Sequence, residues 1–186
     1  LPQERHEGID VGYTSARAAP GFDVRLIVTR PAGAGRLPAV IFVPWLSCDP
    51  VDYPNGAQDG WSRLLLDLVR ESRWVVVRVE KAGVGDSDGP SCVDADLDAD
   101  LAGFRAAIKT VAQMPDVDPD RVFLFGGSIG ATLVPILAAE IPLRGIVATG
   151  GTYKTWLEHM LELERRRLVL SGRAPGEVND ALRGYA

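Results

Sequence analysis

The segment Arg121-Val-Phe-Leu-Phe-Gly-Gly-Ser-Ile-Gly-Ala-Thr132 carries the strongest structural signal in the sequence. A short apolar run ends abruptly in Gly-x-Ser-x-Gly, and a helix-like run over 132–140 follows. This order predicts a strand, a sharp turn and a helix, with Ser128 at the turn. So tight a turn strains the backbone and leaves no room for a Cβ atom at Gly126 or Gly130. We therefore expect an exposed Ser128 hydroxyl beside the Ile129 N–H at a helix N-terminus.

At these residues the sequence resembles the α/β-hydrolase superfamily. The resemblance implies an α/β fold, with a mostly parallel sheet and helices on both faces. It also implies that Ser128 is the nucleophile and that the Ile129 N–H forms half of an oxyanion hole. The alternative is a glycine-rich turn with an ordinary serine. A dinucleotide-binding fingerprint is excluded, because it requires glycine where Ser128 and Ala131 stand.

Composition limits the classes of function. The 186 residues favour one domain with a sizeable core. The net charge is −5 and no basic run is long, so nucleic acid is not an expected partner. No apolar stretch approaches the roughly 20 residues of a membrane span. Two cysteines without a Cys-x-x-Cys motif, and two histidines without a cluster, give no reason to expect a metal or another cofactor.

Periodicity predicts alternating strands and helices. Residues 1–20 are an edge strand or an arm. The predicted helix Val93–Gln113 begins with four aspartates, at positions 94, 96, 98 and 100. The helix dipole favours negative charge in these first turns. The predicted strands are Phe22–Arg30, Ala39–Val43, Trp74–Val79, Arg121–Phe125 and Leu143–Thr149, and the predicted helices are Trp61–Arg70, Val93–Gln113 and 132–140, with a turn at Asp116–Asp120.

The loop Pro44–Pro54 follows a core strand, so it lies at the sheet edge where ligands bind in open α/β sheets. In α/β hydrolases this loop supplies the second oxyanion N–H, which by resemblance is that of Leu46 or of its neighbour Trp45. An ordinary surface loop is the alternative. Trp45 and Tyr53 are candidates for binding an apolar acyl group or side chain of the substrate.

A second loop, Glu80–Pro90, resembles the Asp-x-Arg-Gly-x-Gly-x-Ser-x-Gly loop of the superfamily. Glu80 replaces the Asp and Ala82 replaces the Arg, so the ion pair of those two residues is not expected. The loop lacks the Gly-Lys-Ser/Thr of a phosphate-binding loop. We expect it to shape the rim of the pocket. The matching positions are Gly83, Gly85, Ser87 and Gly89.

Cys48 and Cys92 each follow a core strand, and these two strands are expected to be neighbours in the sheet. A disulfide at the mouth of the pocket is one reading, and it favours an extracytoplasmic location. Two buried thiols in a cytoplasmic protein are the other. Cys48 as the nucleophile is disfavoured, because no histidine is placed to activate it.

The character of the chain changes after Gly151. Lys154–Leu170 is predicted to be a long amphipathic helix, and Glu177–Tyr185 a short one. In α/β hydrolases a helical cap is often inserted after this strand. We therefore divide the chain into a hydrolase core over 1–151 and a cap, or partner-contacting helices, over 152–186. The alternatives are a helix packed on the sheet and a dimerisation helix.

The sequence shows no complete catalytic triad. The superfamily order is Ser, then an acid, then His. His159 is the only histidine after Ser128, and it falls in the predicted cap helix, where a structural role is expected; His6 is at the other end. We expect the N-terminal part of a longer hydrolase. The rest of the same protein, or a second chain, would complete the sheet and the triad and would contact the last strand or the cap helix.

These observations together favour a serine hydrolase that acts on an ester or a peptide-like amide through an acyl-enzyme on Ser128. The competing class is a non-catalytic binding or assembly module with a hydrolase-like fold. The absent histidine favours the module. The retained turn favours the enzyme, because a scaffold has no need of its backbone strain.

Overall fold

The computed structural model describes residues 3–19, 21–33, 35–56 and 59–185. Its six strands are Ile9–Ala18 (β1), Phe22–Pro31 (β2), Leu37–Val43 (β3), Val75–Val79 (β4), Val117–Gly127 (β5) and Gly145–Thr149 (β6). Its five helices are Gly60–Ser72 (α1), Leu97–Ala112 (α2), Ile129–Glu140 (α3), Trp156–Leu170 (α4) and Pro175–Arg183 (α5).

The six strands form one sheet in the order β1-β2-β4-β3-β5-β6. β1 and β2 pair as an antiparallel hairpin, and β2 also pairs antiparallel with β4. β3 pairs in parallel with both β4 and β5, and β5 pairs in parallel with β6. The sheet is therefore mostly parallel, and its carboxyl edge gathers the loops that follow β3, β4 and β5. This confirms the predicted fold class.

Both faces of the sheet are covered. Along β3, Ile41 belongs to an apolar cluster with residues of α2 and α3, whereas Phe42 belongs to a second cluster with residues of α1. Successive residues of a strand point to opposite faces, so the two clusters lie on opposite sides of the sheet. Strand β3 is buried on both sides because it lies at the centre, as its unbroken apolar run predicted.

Two predicted boundaries are wrong. α2 begins at Leu97 rather than Val93, because the Asp96 side chain accepts a hydrogen bond from the Ala99 N–H and caps the helix there. Val93 lies before the helix and is 80% exposed. β5 begins at Val117 rather than after a turn over Asp116–Asp120, because Val117 pairs with Leu37 of β3.

The N-terminal segment contains β1, an edge strand, which settles the choice left open by the sequence. Residues 1, 2 and 20 of that segment lie outside the described part of the chain. The remaining predicted strands and helices agree with the structure to within a few residues.

The chain divides into two compact units, Leu1–Gly151 and Thr152–Ala186. The second unit consists of α4 and α5, held together by a small cluster in which Leu168, Val178 and Leu182 are buried. Much of the apolar surface of α4 stays exposed, including Trp156 and Leu157. Among the described residues no helix is both long and apolar enough to cross a membrane.

Candidate functional site

Ser128 stands at the junction of β5 and α3. Its backbone has φ 56° and ψ −120°, a conformation that non-glycine residues rarely adopt. The residue is exposed, and its side chain makes no capping hydrogen bond to α3. Its own N–H donates to the Thr149 carbonyl over 2.9 Å, which ties the turn to the end of β6. The hydroxyl is thus presented at the carboxyl edge of the sheet.

Two glycines make this turn possible. A Cβ atom on Gly126 would lie 2.4 Å from the Gly130 carbonyl oxygen. A Cβ atom on Gly130 would lie 2.1 Å from the carbonyl oxygen of Val43, at the end of β3. Both neighbours are backbone atoms that cannot move aside cheaply. The close approach of Gly130 to β3 also puts the turn next to the loop that starts at Pro44.

Helix α3 starts at Ile129, directly after Ser128. The first N–H groups of a helix have no partner within the helix, and the dipole of α3 makes this end positive. A negative charge that develops on a substrate oxygen beside Ser128 would be stabilised there. Ile129 is the first residue of α3, and its role in an oxyanion hole stays a prediction.

The loop that carries Trp45 and Leu46 begins beside the Ser128 turn. Leu46 is 54% exposed. The Trp45 ring packs against Phe42 and Trp61, with ring centroids 5.6 Å apart in both pairs. A Cβ atom on Gly127 would lie 3.1 Å from the Trp61 ring. Trp61 therefore lies next to Gly127, the residue before Ser128. The sequence did not reveal this position, because the helical spacing of Trp61 indicated only a core residue.

Tyr53 lines an open cleft of about 410 Å³ together with Trp45. The cleft also carries the carboxylates of Asp49, Asp52 and Asp59, so its lining is both aromatic and acidic. Burial, the largest effect, raises the pKa of Tyr53 to about 12, although the charge of Arg78 acts in the opposite direction. Tyr53 therefore keeps its proton at neutral pH.

A buried ion pair that the sequence did not predict supports this cleft. Arg78 of β4 is 1% exposed and donates to both oxygens of Glu4, over 2.9 and 2.7 Å. Arg78 also donates to the Val51 carbonyl over 2.8 Å and lies 4.2 Å from the centre of the Tyr53 ring. The Tyr53 N–H donates to Glu4 over 2.6 Å. Glu4 of the N-terminal segment and Arg78 of β4 together fix the loop after β3 at Val51 and Tyr53.

Cys48 and Cys92 form a disulfide. The bond joins the loop after β3 to the loop after β4, and these two strands are neighbours in the sheet. This is the first of the two arrangements considered from the sequence. Cys48 is consequently not a free thiol.

The loop after β4 is folded around a carboxylate. Glu80 is 1% exposed, and its carboxylate lies 3.4 Å from Arg25 of β2 and accepts the Asp86 N–H over 3.2 Å. A Cβ atom on Gly85, where φ is 57°, would meet this carboxylate at 2.2 Å. Burial raises the pKa of Glu80 more than Asp86 and Arg25 lower it. Ala82 cannot pair with Glu80, and the arginine beside this carboxylate comes instead from the distant strand β2, which the sequence did not indicate.

The two histidines are placed differently from each other. His6 Nε2 lies 2.9 Å from Glu4 Oε2, within the buried ion-pair network. His159 lies on α4 in the second unit, with its ring 5.9 Å from that of Trp156. Within the described ranges no group of three or more His, Cys, Asp or Glu side chains is arranged to hold a metal ion.

Comparison with known proteins returned no matching family model and no matching curated protein. Solved structures do match. The α/β hydrolase GrgF from Penicillium sp. sh18 is 19% identical with a TM-score of 0.62, over 89% of this chain and 57% of that one. A thermostable esterase from Pseudomonas putida ECU1011 is 24% identical with a TM-score of 0.61, over 86% of this chain and 50% of that one.

A third match, DcsB in complex with its substrate analogue, is 18% identical with a TM-score of 0.60 and covers 89% of this chain and 56% of that one. The chain therefore has the α/β-hydrolase fold, as the Gly-x-Ser-x-Gly turn suggested. It spans about half the length of each of these solved chains.

Proposed function

We propose that this protein is a serine hydrolase that cleaves an ester or a peptide-like amide through an acyl-enzyme on Ser128. The observation that carries the proposal is the Ser128 backbone, with φ 56° and ψ −120° between β5 and α3. Strain of this kind costs about 1–3 kcal/mol and is typical of functional sites. The match to solved esterases supports the same class.

In this mechanism Ser128 Oγ attacks the carbonyl carbon of the substrate and a tetrahedral oxyanion forms. The Ile129 N–H stabilises the oxyanion from the start of α3, and the N–H of Leu46 or Trp45 stabilises it from the loop after β3. The carbonyl then re-forms, the leaving group departs and the acyl group remains on Ser128. Water hydrolyses this ester and restores the hydroxyl.

A general base must accept the proton of Ser128 Oγ, and an acid must orient that base. The His6 side chain is 5% exposed and lies beside Glu4, which is paired with Arg78, so we do not assign His6 the role of the base. We propose that base and acid come from more of the same protein or from a second chain. The neighbours support this proposal, because the chain spans only about half of their length.

The second unit, α4 with α5, is proposed to be the start of a helical cap. Trp156, Leu157 and Met160 are 51%, 55% and 43% exposed. A cap over a hydrolase site uses such residues to contact an apolar acyl group. Trp45 and Tyr53 are proposed to bind the substrate on the core side, from the cleft they line.

The Cys48–Cys92 disulfide favours an extracytoplasmic location, since disulfides persist in oxidising compartments. Alkylation of the protein in freshly lysed native cells, without reductant, tests this location. We expect both thiols to escape alkylation. Modification of both would contradict the proposal.

The alternative is a hydrolase-like module that binds a partner without catalysis. Reaction with a fluorophosphonate probe separates the two, because only a serine that is activated as a nucleophile displaces the fluoride and becomes phosphonylated. The test uses the protein purified from its native source, with any further polypeptide that accompanies it. We expect stoichiometric modification of Ser128.

Ser128→Ala should abolish the reaction, and Ser91→Ala, which changes another exposed loop serine, should not. A complete native assembly that leaves Ser128 unmodified would exclude the acyl-enzyme and favour the binding module.

A further inference from the structure

Lys81 is an unusual lysine because it is buried. It follows β4 directly and is 8% exposed. Its ammonium lies 3.3 Å from the Asp100 carboxylate and donates a hydrogen bond to the Leu46 carbonyl oxygen over 3.2 Å. A buried ammonium is tolerated only when it is paired and hydrogen-bonded. Both partners of Lys81 are therefore needed to keep it in place.

One of these partners belongs to the residue proposed to supply the second oxyanion N–H. The loop around Leu46 is anchored on either side: Gly130 packs against the Pro44 carbonyl, and Cys48 is bonded to Cys92. Between these anchors the Leu46 side chain is 54% exposed, so its burial contributes little to the backbone conformation. Within this stretch the Trp45 ring packs against Trp61, and the hydrogen bond from Lys81 acts directly on the backbone of Leu46.

We propose that Lys81 is a positioning residue, which fixes the Leu46 backbone so that its N–H is ready to stabilise the oxyanion. The inference rests on the proposed serine-hydrolase function. The Leu46 carbonyl belongs to the peptide group that joins Leu46 to Ser47, so the ammonium fixes that group and with it the Cα atom of Leu46. The Leu46 N–H is attached to the same Cα through the backbone nitrogen, and fixing this atom restricts the directions that the N–H can take. Asp100 in turn holds the ammonium from the first turn of α2.

A purely structural role for Lys81 makes a different prediction. If the Lys81–Asp100 pair only joins the loop after β4 to α2, any loss of activity in a variant follows its loss of stability. If Lys81 positions Leu46, the rate depends on the hydrogen bond to Leu46 even in a fully stable protein. Restoring the charge balance without restoring that hydrogen bond separates the two roles.

The experiment compares Lys81→Met with the double variant Lys81→Met/Asp100→Asn in the full protein, using a short p-nitrophenyl ester. Lys81→Met leaves the Asp100 carboxylate buried without its ammonium, so its melting temperature should fall. The double variant removes that charge, and its melting temperature should recover. Its kcat should remain reduced, by roughly 10- to 100-fold, with KM nearly unchanged, because loosening one oxyanion donor costs less than the 10²–10³-fold of removing it.

Lys109→Met is the matched control, because Lys109 is an exposed lysine on the same helix as Asp100. It should leave both kcat and the melting temperature unchanged. Recovery of kcat together with the melting temperature in the double variant would overturn the inference.

A second measurement does not depend on catalysis. The sequence contains Leu-Ser only at Leu46-Ser47 and Leu170-Ser171. Protein labelled with carbonyl-¹³C leucine and ¹⁵N serine therefore gives two peaks in a spectrum that correlates the two nuclei. Lys81→Met should shift the Leu46 carbonyl resonance and leave that of Leu170 in place.

An unshifted Leu46 resonance would overturn the inference whether or not the protein is a hydrolase. If the Leu46 resonance shifts but the protein hydrolyses no ester, the hydrogen bond between Lys81 and Leu46 is confirmed and the proposed function is refuted.

Discussion

At the scale of single residues, Ser128 and the glycines on either side of it determine the geometry of the candidate site. The strained serine persists because Gly126 and Gly130 allow the backbones of β3, β5 and α3 to approach one another closely. The pattern Gly-x-Ser-x-Gly made this arrangement predictable, because sterics alone dictate the residue type at both glycines. The five residues of the pattern are contiguous in sequence, and the contact of Gly126 with Gly130 lies within them, whereas Gly130 meets the distant Val43 of β3.

Gly130→Ala tests this constraint. The added methyl would lie 2.1 Å from the Val43 carbonyl oxygen, so β3 and α3 must separate. We expect a loss of about 1–3 kcal/mol in the free energy of unfolding, as for other overpacked sites, and loss of the fluorophosphonate reaction. Gly12→Ala, at a position with no atom within 4 Å, is the control and should react normally. A fully reactive Gly130→Ala protein would contradict the geometry described for the turn.

The buried pair Glu4–Arg78 makes a prediction about pH. Burial alone would raise the pKa of Glu4, but Arg78, His6 and the Tyr53 N–H together lower it below its ordinary 4.5. A carboxyl with a lowered pKa in the folded state stabilises the fold above pH 4.5 and loses that contribution as the pH falls. Urea unfolding across this range measures the effect.

Glu4→Gln should cost about 3 kcal/mol at neutral pH, since it leaves the Arg78 charge without its carboxylate. The difference from the unmodified protein should shrink below pH 4.5. Glu7→Gln, at an exposed position nearby, should be neutral. A constant difference at every pH would refute the assignment of this pH dependence to Glu4.

These ion pairs mark the limit of what the sequence predicts at this scale. Glu4 reaches Arg78 across 74 residues, and Arg25 reaches Glu80 across 55. The members of each pair are too far apart in sequence for any local pattern to show that they are buried and paired rather than exposed to solvent. Arg25 and Arg78 both lie in strands whose periodicity indicated the fold correctly, but periodicity does not reveal the partner of a buried charge.

At the scale of elements, the loop after β3 is the part of the site with the most attachments. Lys81 holds it at Leu46, the disulfide holds it at Cys48, and Arg78 holds it at Val51. Three prolines exclude regular structure over Pro44–Pro54, so these contacts take the place of a hydrogen-bonded ladder. A loop that must present an N–H group to a transient oxyanion benefits from being rigid before the substrate arrives.

The disulfide is the attachment that is simplest to remove. It closes a loop between residues 44 apart, which predicts a stabilisation of about 2–4 kcal/mol. The Cys48→Ser/Cys92→Ser variant should lose that much in urea unfolding and should react more slowly with the fluorophosphonate. Ser47→Ala/Ser91→Ala, at the adjacent exposed serines, serves as the control. An unchanged rate of reaction would mean that the disulfide stabilises the fold without positioning the loop.

Secondary structure was predictable where one pattern dominates. β3 has an unbroken apolar run and α3 follows the glycine turn, and both were located correctly. The start of α2 was not, because Val93 continues the apolar spacing although Asp96 provides the cap. Several aspartates near this position have side chains that could cap the helix. Which of them does so depends on the conformation of the preceding loop, which the disulfide fixes at Cys92.

At the scale of the whole molecule, β6 is the outer strand of the described sheet and pairs with β5 alone among the described strands. Ile146 and Val147, on opposite faces of β6, are 39% and 57% exposed. Unpaired strand edges with apolar side chains tend to associate. This exposure is consistent with the proposal that further polypeptide covers this side of the sheet.

We predict that the 186-residue chain, produced on its own, associates through β6. Light scattering should give a mass above the 20.0 kDa of the monomer. Ile146→Lys/Val147→Lys should restore the monomer, whereas Val93→Lys, at another exposed apolar position, should not. A chain that is monomeric without any substitution would contradict this role of β6.

Trapping an acyl-enzyme on Ser128 tests the proposed mechanism more directly than any other measurement. The native protein is mixed with p-nitrophenyl acetate, quenched in acid within the first turnover, and digested for mass spectrometry. We predict one acetyl group, on the peptide that contains Ser128, and none in Ser128→Ala. Release of p-nitrophenol with the acetyl group on another residue, or with no acetylated peptide at all, would contradict the account.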